Sequence, residues 1–182
     1  LALRLLAADP GLGGIVIRSR SGPVRDVFLE RVKQQLGPVQ RVHPATSDEA
    51  LFGGLDVSAT LATGTMVEHA GLLGRSEPLM LTMAERCPAA LSAKIALAVD
   101  SGDVPRLIVL DEGAEPDETP PVGLAERVAF AVDLSEVGLA DLDDCTMSGD
   151  PLTAVHTAKD LTQITEIAMR LGIDSRRAPL FA

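Results

Sequence analysis

Apolar residues along the chain fall into two rhythms. Short runs rich in Ile, Val and Leu (the β-branched run that follows Gly14, then Val39–Val42, Leu79–Met83 and Leu107–Leu110) have the length and composition of strands, and Ala131–Leu134 reads as a fifth strand or a turn. Between them, apolar positions recur at helical spacing. Val24, Val27, Phe28, Val32 and Leu36 predict a helix over 24–36, closed by Gly37-Pro38. An Ala-rich stretch predicts a helix from Glu85 to Val99, ending near Gly102. Shorter helices are expected at Leu1–Ala8, stopped before Pro10, at Val57–Ala62 and at Leu124–Phe130. Ser47, Asp48 and Glu49 suit the start of a helical turn over 46–50. The adjacent glycines in Leu51-Phe52-Gly53-Gly54-Leu55-Asp56 imply a turn with positive φ. Met66–Gly71 has the pattern of a hairpin arm, whereas Asp111–Pro121 and Leu139–Asp150 are acidic and loop-like.

Strands alternating with helices predict an α/β fold with a parallel sheet covered on both faces. Beyond Asp150 the pattern changes to an amphipathic helix at Leu161–Leu171 and a final helix after Asp174, with no strand between them. This divides the chain into an α/β domain over 1–138 and a linker with a small helical lid over 139–182. The missing initiating Met at Leu1 and the apolar pattern still running at Ala182 are expected of a piece of a longer chain.

Composition narrows the functional classes. The chain has 182 residues, 46% of them hydrophobic, so it can build a core. A formal net charge of −10 disfavours nucleic acid and anionic membranes as partners. With no Trp, no Tyr and four Phe, a base-stacking platform is disfavoured. No apolar run reaches the roughly 20 residues of a membrane span. Cys87 and Cys145 have no metal-ligand or C-x-x-C spacing, which predicts a reduced, cytoplasmic setting.

The stretch from Gly14 to Glu30 reads as strand, small-residue turn and helix, the layout of a phosphate-binding P-loop. Its chemistry is altered. Against G-x-x-x-x-G-K-[ST], Ser19 stands at the first Gly, Gly22 falls early for the second, Arg25 replaces the Lys and Asp26 the hydroxyl. The Lys is a compact ammonium reaching the β- and γ-phosphates, and the hydroxyl holds Mg²⁺. Arg is no simple substitute. Asp26 suits the helix dipole by itself, and it repels phosphate by roughly 4 kcal/mol at about 4 Å and an effective dielectric near 20. The alternative is an ordinary strand-turn-helix.

Other candidates are weaker. His43, His69 and His156 are scattered without zinc-ligand spacing, so no metal site is expected. Ser101-Gly102-Asp103 and Ser148-Gly149-Asp150 read as turns. Asp111, Glu112, Glu115, Asp117 and Glu118 read as a solvated acidic loop.

Several segments, in order, resemble the AAA+ module of magnesium chelatase, which inserts Mg²⁺ into protoporphyrin IX in chlorophyll and bacteriochlorophyll synthesis. They are Ala8-Asp9-Pro10-Gly11 before Gly13–Arg18; Asp48-Glu49 with Phe52-Gly53-Gly54-Leu55-Asp56; and Gly71-Leu72-Leu73-Gly74-Arg75 before a strand. Leu124-Ala125-Glu126-Arg127-Val128 resembles L-L-D-R-F, and Leu171–Ala178 resembles the lid's L-G-V-D-G-x-R-A. The fold implied is an AAA+ P-loop-type parallel sheet with flanking helices and a C-terminal helical lid. Met83 and Ala84 stand where Walker B places Asp-Glu, and Ala114 stands at the sensor Asn. These departures are similar to the family's degenerate (D) subunit rather than its active ATPase (I) subunit.

The resemblance implies a non-hydrolysing platform in a hexameric ring with the ATPase subunit, serving a porphyrin-binding H subunit. ATP and Mg²⁺ would act at the level of the complex, with weak or no nucleotide binding by this chain. Arg127 matches an arginine finger acting in trans. Gly22, Arg25 and Arg177, the last matching a sensor-2 arginine, mark a vestigial nucleotide site. The family carries a β-hairpin insert between the positions of Val104 and Leu107, where this chain is shorter. Its D subunit continues into an acidic linker and an integrin-like domain that this sequence does not contain. Rival readings are a regulatory AAA+-like module that binds a protein client and an unrecognised small-molecule α/β enzyme.

Overall fold

A computed structural model describes residues 1–115 and 117–143. Five strands make one parallel sheet in the order β2-β5-β6-β1-β7: β1 (Gly14–Arg18), β2 (Gln40–Val42), β5 (Leu79–Leu81), β6 (Leu107–Asp111) and β7 (Phe130–Asp133). A separate antiparallel pair joins β3 (Gly53–Leu55) to β4 (Glu68–Ala70). The helices are α1 (Ala2–Ala8), α2 (Pro23–Leu36), α3 (Asp48–Phe52), α4 (Val57–Thr63), α5 (Ala89–Asp100), α6 (Val122–Ala125) and α7 (Leu139–Asp143).

Side-chain alternation along the central strands sorts the core into two layers. Leu79 and Leu81 of β5, with Leu107 and Val109 of β6, pack with Leu51, Leu91, Ile95 and Leu124 from α3, α5 and α6. Met80, Ile108, Leu110, Ile15 and Ile17 face the other way, onto Leu3 and Leu6 of α1 and Leu29 and Val32 of α2. All five residues of β6 are buried, as expected of a central parallel strand covered on both sides. The Arg106 guanidinium ties α1 to the sheet by donating to the Leu6 carbonyl at 2.7 Å. Ser47 and Asp56 cap α3 and α4, accepting from the Ala50 and Ala59 N–H groups.

Several expectations need correction. The helix over 85–99 is split: Pro88 leaves a 3₁₀ turn at Ala84–Arg86, and α5 starts only at Ala89. The double glycine does more than turn the chain. Gly53 has φ 80°, ends α3 and begins β3, while Gly54 lies in the strand with an ordinary φ. The stretch from Leu139, expected to be loop, is helical as far as Asp143; α7 docks on α2, where the Arg31 side chain donates to the Leu142 carbonyl. The proposed lid, with Arg177, His156 and Cys145, lies outside the described residues, as does most of the 139–182 segment.

Beside the sheet, the excursion from α3 to β4 is thinly packed. Helix α4 buries none of its residues, and Leu55, Val57, Leu61 and Met66 are exposed. Entry into β1 is the opposite case. Gly14 has φ 150°, and a Cβ there would overlap the Leu107 carbonyl oxygen of the neighbouring strand. Gly14→Ala should therefore cost more than about 3 kcal/mol or prevent folding. Urea unfolding of the variant checks this; a midpoint matching wild type would show that the strands can separate to admit the methyl group.

Candidate functional site

In open α/β sheets the functional crevice lies outside the carboxyl ends of the strands. Here that edge gathers Arg18 of β1 and the turn Ser19–Gly22 after it, Met83 and Glu85 after β5, Asp111 at the end of β6 and Glu112 just beyond it. The turn that was read as an altered P-loop holds this position, and α2 follows it. Its geometry departs from a phosphate cradle. The helix begins at Pro23, so Arg25 lies inside the first turn, and Pro23 has no N–H to offer an anion. The Ser19 N–H is spent on the Asp111 carbonyl at 2.9 Å. Gly22 is extended, with φ 161°, and a Cβ on it would meet nothing within 4 Å. Neither conformation nor close approach demands glycine there.

Arg25 reaches into the crevice and meets a carboxylate. Its Nη1 donates to Glu112 Oε2 at 2.7 Å, and its Nη2 to Ser21 Oγ at 3.0 Å. Its Nε is buried without a hydrogen bond, 3.6 Å from Asp26 Oδ1. Glu112 spreads the connection further: its Oε1 accepts the Met83 N–H at 3.4 Å, and its own N–H donates to Glu85 Oε2 at 2.9 Å. Met83 adopts φ 50°, the one positive-φ residue other than glycine among the described residues. One layer deeper, Arg18 donates to Asp111 Oδ2 at 3.0 Å and to the Glu118 and Glu115 carbonyls. Arg20 donates to the Ala114 carbonyl at 2.9 Å.

The acidic segment is a loop from Glu112 onward, with Glu115 and Asp117 exposed as expected, but Asp111 at its start is not solvated. Asp111 is 2% exposed and ends a central strand. Glu118 folds its own loop by accepting the Ala114 and Glu115 N–H groups, and those bonds hold its carboxyl below the usual range. Among the described residues no three His, Cys, Asp or Glu side chains group as a metal site. Mg-ATP does not fit this crevice. Arg25 is already neutralised by Glu112, Asp26 supplies no hydroxyl, and Met83 and Ala84 supply no oxygen ligand. The sequence names Glu112 only as part of an acidic loop and Glu85 only as the start of a helix, and it gives neither residue a role beside Arg25. The available signal was a carboxylate pair at the carboxyl end of a strand destined to lie beside β1, facing an arginine in need of a counter-charge.

Arg127 lies elsewhere. It follows α6 and precedes the edge strand β7, at the opposite end of the sheet, where its carbonyl lies against Gly13 at the start of β1. Its Nε and Nη2 donate to the two Asp100 oxygens at 2.8 and 2.6 Å, and its Nη1 donates to the Gly123 carbonyl. The hydrogen bond with Arg127 holds the Asp100 carboxyl below its ordinary range and raises Arg127 in turn. The structure therefore brings Gly22 and Arg25 together and sets Arg127 apart from them.

This strand order, with a P-loop-type turn at the carboxyl edge, defines an AAA+-type α/β module. Two solved structures share the fold. One is a model of the complex between subunits BchI and BchD of magnesium chelatase (TM-score 0.57, 18% identity, 94% of this chain and 71% of that one). The other is a putative ATPase from Cytophaga hutchinsonii (TM-score 0.54, 15% identity, 78% and 47%). In sequence the whole chain is similar to the magnesium-chelatase 60 kDa subunits of Cereibacter sphaeroides, at 40% identity, and Rhodobacter capsulatus, at 41%, and it spans 34% of each. A 67 kDa subunit from Chlorobaculum parvum is 36% identical over 41% of the chain and 13% of its own length. No protein-family model matches. The resemblance drawn from the quoted segments is thereby shown, for a chain about a third as long as these relatives.

Two predictions follow from the crevice and its surroundings. Glu112→Gln keeps the shape of the side chain and leaves Arg25 with only the longer contact to Asp26 as counter-charge, so it should destabilise the module by about 1–3 kcal/mol. Urea unfolding checks this; no loss would mean that water replaces the carboxylate. The second concerns pH. Asp100, Glu118 and Asp133 all have carboxyls below their ordinary range, Asp133 through its bonds to Ser135. A folded-state value below the unfolded one contributes stability that is complete above the ordinary range near about 4 and is lost as pH falls through the folded value. The melting midpoint should stay level from about pH 8 to 5 and drop below about pH 4, and Asp133→Asn should soften the drop. A decline already complete by pH 5 would contradict this.

Proposed function

We propose that this chain is a non-hydrolysing AAA+ platform of magnesium chelatase, which assembles with the active ATPase subunit and supports ATP-driven insertion of Mg²⁺ into protoporphyrin IX. One observation carries the reading: in a fold built for nucleotide, the crevice is satisfied by the chain's own Arg25–Glu112 pair. Similarity to 60 kDa chelatase subunits over the entire chain supplies the enzyme. The complex would belong to the ligases that form nitrogen–metal bonds, within bacteriochlorophyll synthesis, and a porphyrin-binding H subunit would be the further partner. ATP and Mg²⁺ would be bound by the ATPase partner, with weak or no nucleotide binding here. Arg177 would lie over this chain's vestigial site, and Arg127 would point at a neighbour's nucleotide in the ring. No helix among the described residues is long and apolar enough to cross a membrane.

Arg127 suits that task by position. It stands at the edge of the sheet, away from its own crevice, and such an arginine can raise phosphoryl-transfer rates 10³–10⁵-fold in trans. The exposed Leu55, Val57, Leu61 and Met66 also suit a rival, a regulatory AAA+-like module that binds a protein client. Co-purification with the chelatase ATPase subunit, with and without Mg-ATP, separates the two. Stable association is expected, and indifference to that subunit would favour the rival. The chain alone should show no ATPase activity above background, and turnover following the protein through several columns would refute the reading. Arg127→Ala should leave assembly intact and lower the chelatase rate of the mixed complex at least tenfold. An unchanged rate would reduce this chain to scaffold.

A further inference from the structure

We propose that Asp100 is a positioning residue for Arg127, holding one fork of the guanidinium and leaving the other presented at the free edge of the module. This rests on the reading of Arg127 as a group that acts across a subunit interface. The geometry supports it in three ways. First, Asp100 is the last residue of α5, where the helix dipole disfavours a carboxylate, and the last turn contains no basic residue to offset it. A side chain serving only to finish the helix would be cationic or neutral. Second, the hold is complete on one side. Nε and Nη2 donate to the two carboxylate oxygens, and Nη1 donates to Gly123 of α6, so two separate elements fix one planar group. A guanidinium has five N–H donors, and among the described residues three are engaged, leaving one each on Nη1 and Nη2. Third, the place is accessible. The Arg127 side chain is 31% exposed, and β7, which follows it, is an edge strand of the sheet.

The competing explanation is a structural tie, in which Arg127 supplies the missing counter-charge at the end of α5. Exposed ion pairs contribute little to stability, so the two explanations differ in what Asp100→Ala does to turnover. Pre-orientation matters because a reacting phosphoryl group is stabilised by donors already in place.

The experiment uses the full-length protein in complex with its ATPase partner. Arg127→Ala, Asp100→Ala and Asp100→Glu are compared for assembly by size-exclusion chromatography and for kcat and KM for ATP. The Arg127 Nε–H signal is followed in ¹⁵N NMR spectra of the chain without partner. Arg127→Ala should lower kcat at least tenfold. Asp100→Ala should lower kcat about three- to tenfold with KM within twofold of wild type, and Asp100→Glu should regain at least half of the loss. The Nε–H signal should be sharp in wild type, exchange-broadened in Asp100→Ala and sharp again in Asp100→Glu. If Arg127→Ala lowers kcat and Asp100→Ala leaves it unchanged or raises it, Asp100 does not position the arginine. Loss of kcat that tracks loss of melting temperature, with no rescue by Glu, makes the pair a structural tie. If Arg127→Ala itself has wild-type kcat in an intact assembly, the underlying reading of Arg127 fails, and the positioning role fails with it.

Discussion

A carboxylate buried at the end of the central strand sets the terms for the functional edge of this module. Asp111 is 2% exposed, and a charge so placed must be paired and hydrogen-bonded. Arg18, its cross-strand partner in the β1–β6 register, supplies the countercharge, and the Gly113 N–H adds a hydrogen bond at 3.0 Å. The same guanidinium then holds the Glu115 and Glu118 carbonyls, so the loop after β6 is folded back over the sheet. A backbone bond from the Ser19 N–H to the Asp111 carbonyl joins the turn after β1 to the same point. One ion pair thereby determines where both segments bounding the crevice can run.

Given that frame, the crevice has little freedom left. Its second layer, Arg25 with Glu112 and Glu85, links α2, β6 and the turn after β5. Phosphate oxygens in a P-loop serve as acceptors for a cation at the start of the helix and for nearby backbone N–H groups. Here the Glu112 carboxylate accepts from both kinds of donor, Arg25 and the Met83 N–H. The segments that a nucleotide would bridge are bridged here by protein groups.

The chain disclosed its architecture more readily than its site. The apolar runs Ile15-Val16-Ile17 and Leu107–Leu110 are local signals, and the five strands of the parallel sheet stand close to where those runs put them, though β5 ends at Leu81 rather than Met83 and β3 arises where a turn was expected. Helix ends were less legible where a single residue decided them. Pro88 broke the Ala-rich stretch, and the acidic composition after Leu139 concealed a helix whose docking depends on Arg31, far away in sequence. Arg25 and Gly22 could be found from spacing against a motif. Glu112 could not, because its meaning depends on an arginine 87 positions away, brought near by the parallel sheet. Asp100 was hidden in the same way: nothing local distinguishes a helix-ending Asp followed by Ser101-Gly102 from an ordinary turn.

The two ends of the sheet handle arginine in opposite ways, and the contrast bears on division of labour. At the carboxyl edge, Arg18 and Arg25 are enclosed by carboxylates from the strands beside them, with Arg25 only 17% exposed, so little of their charge remains for a ligand. At the other edge, the Arg127 side chain is 31% exposed, before a strand that among the described residues has a neighbour on one side only. Electrostatic stabilisation requires donors fixed before charge develops and left available to it. Arg25 is fixed but consumed by Glu112. Arg127 is fixed and still available, which is why a catalytic contribution from this chain is better sought at its edge than in its crevice.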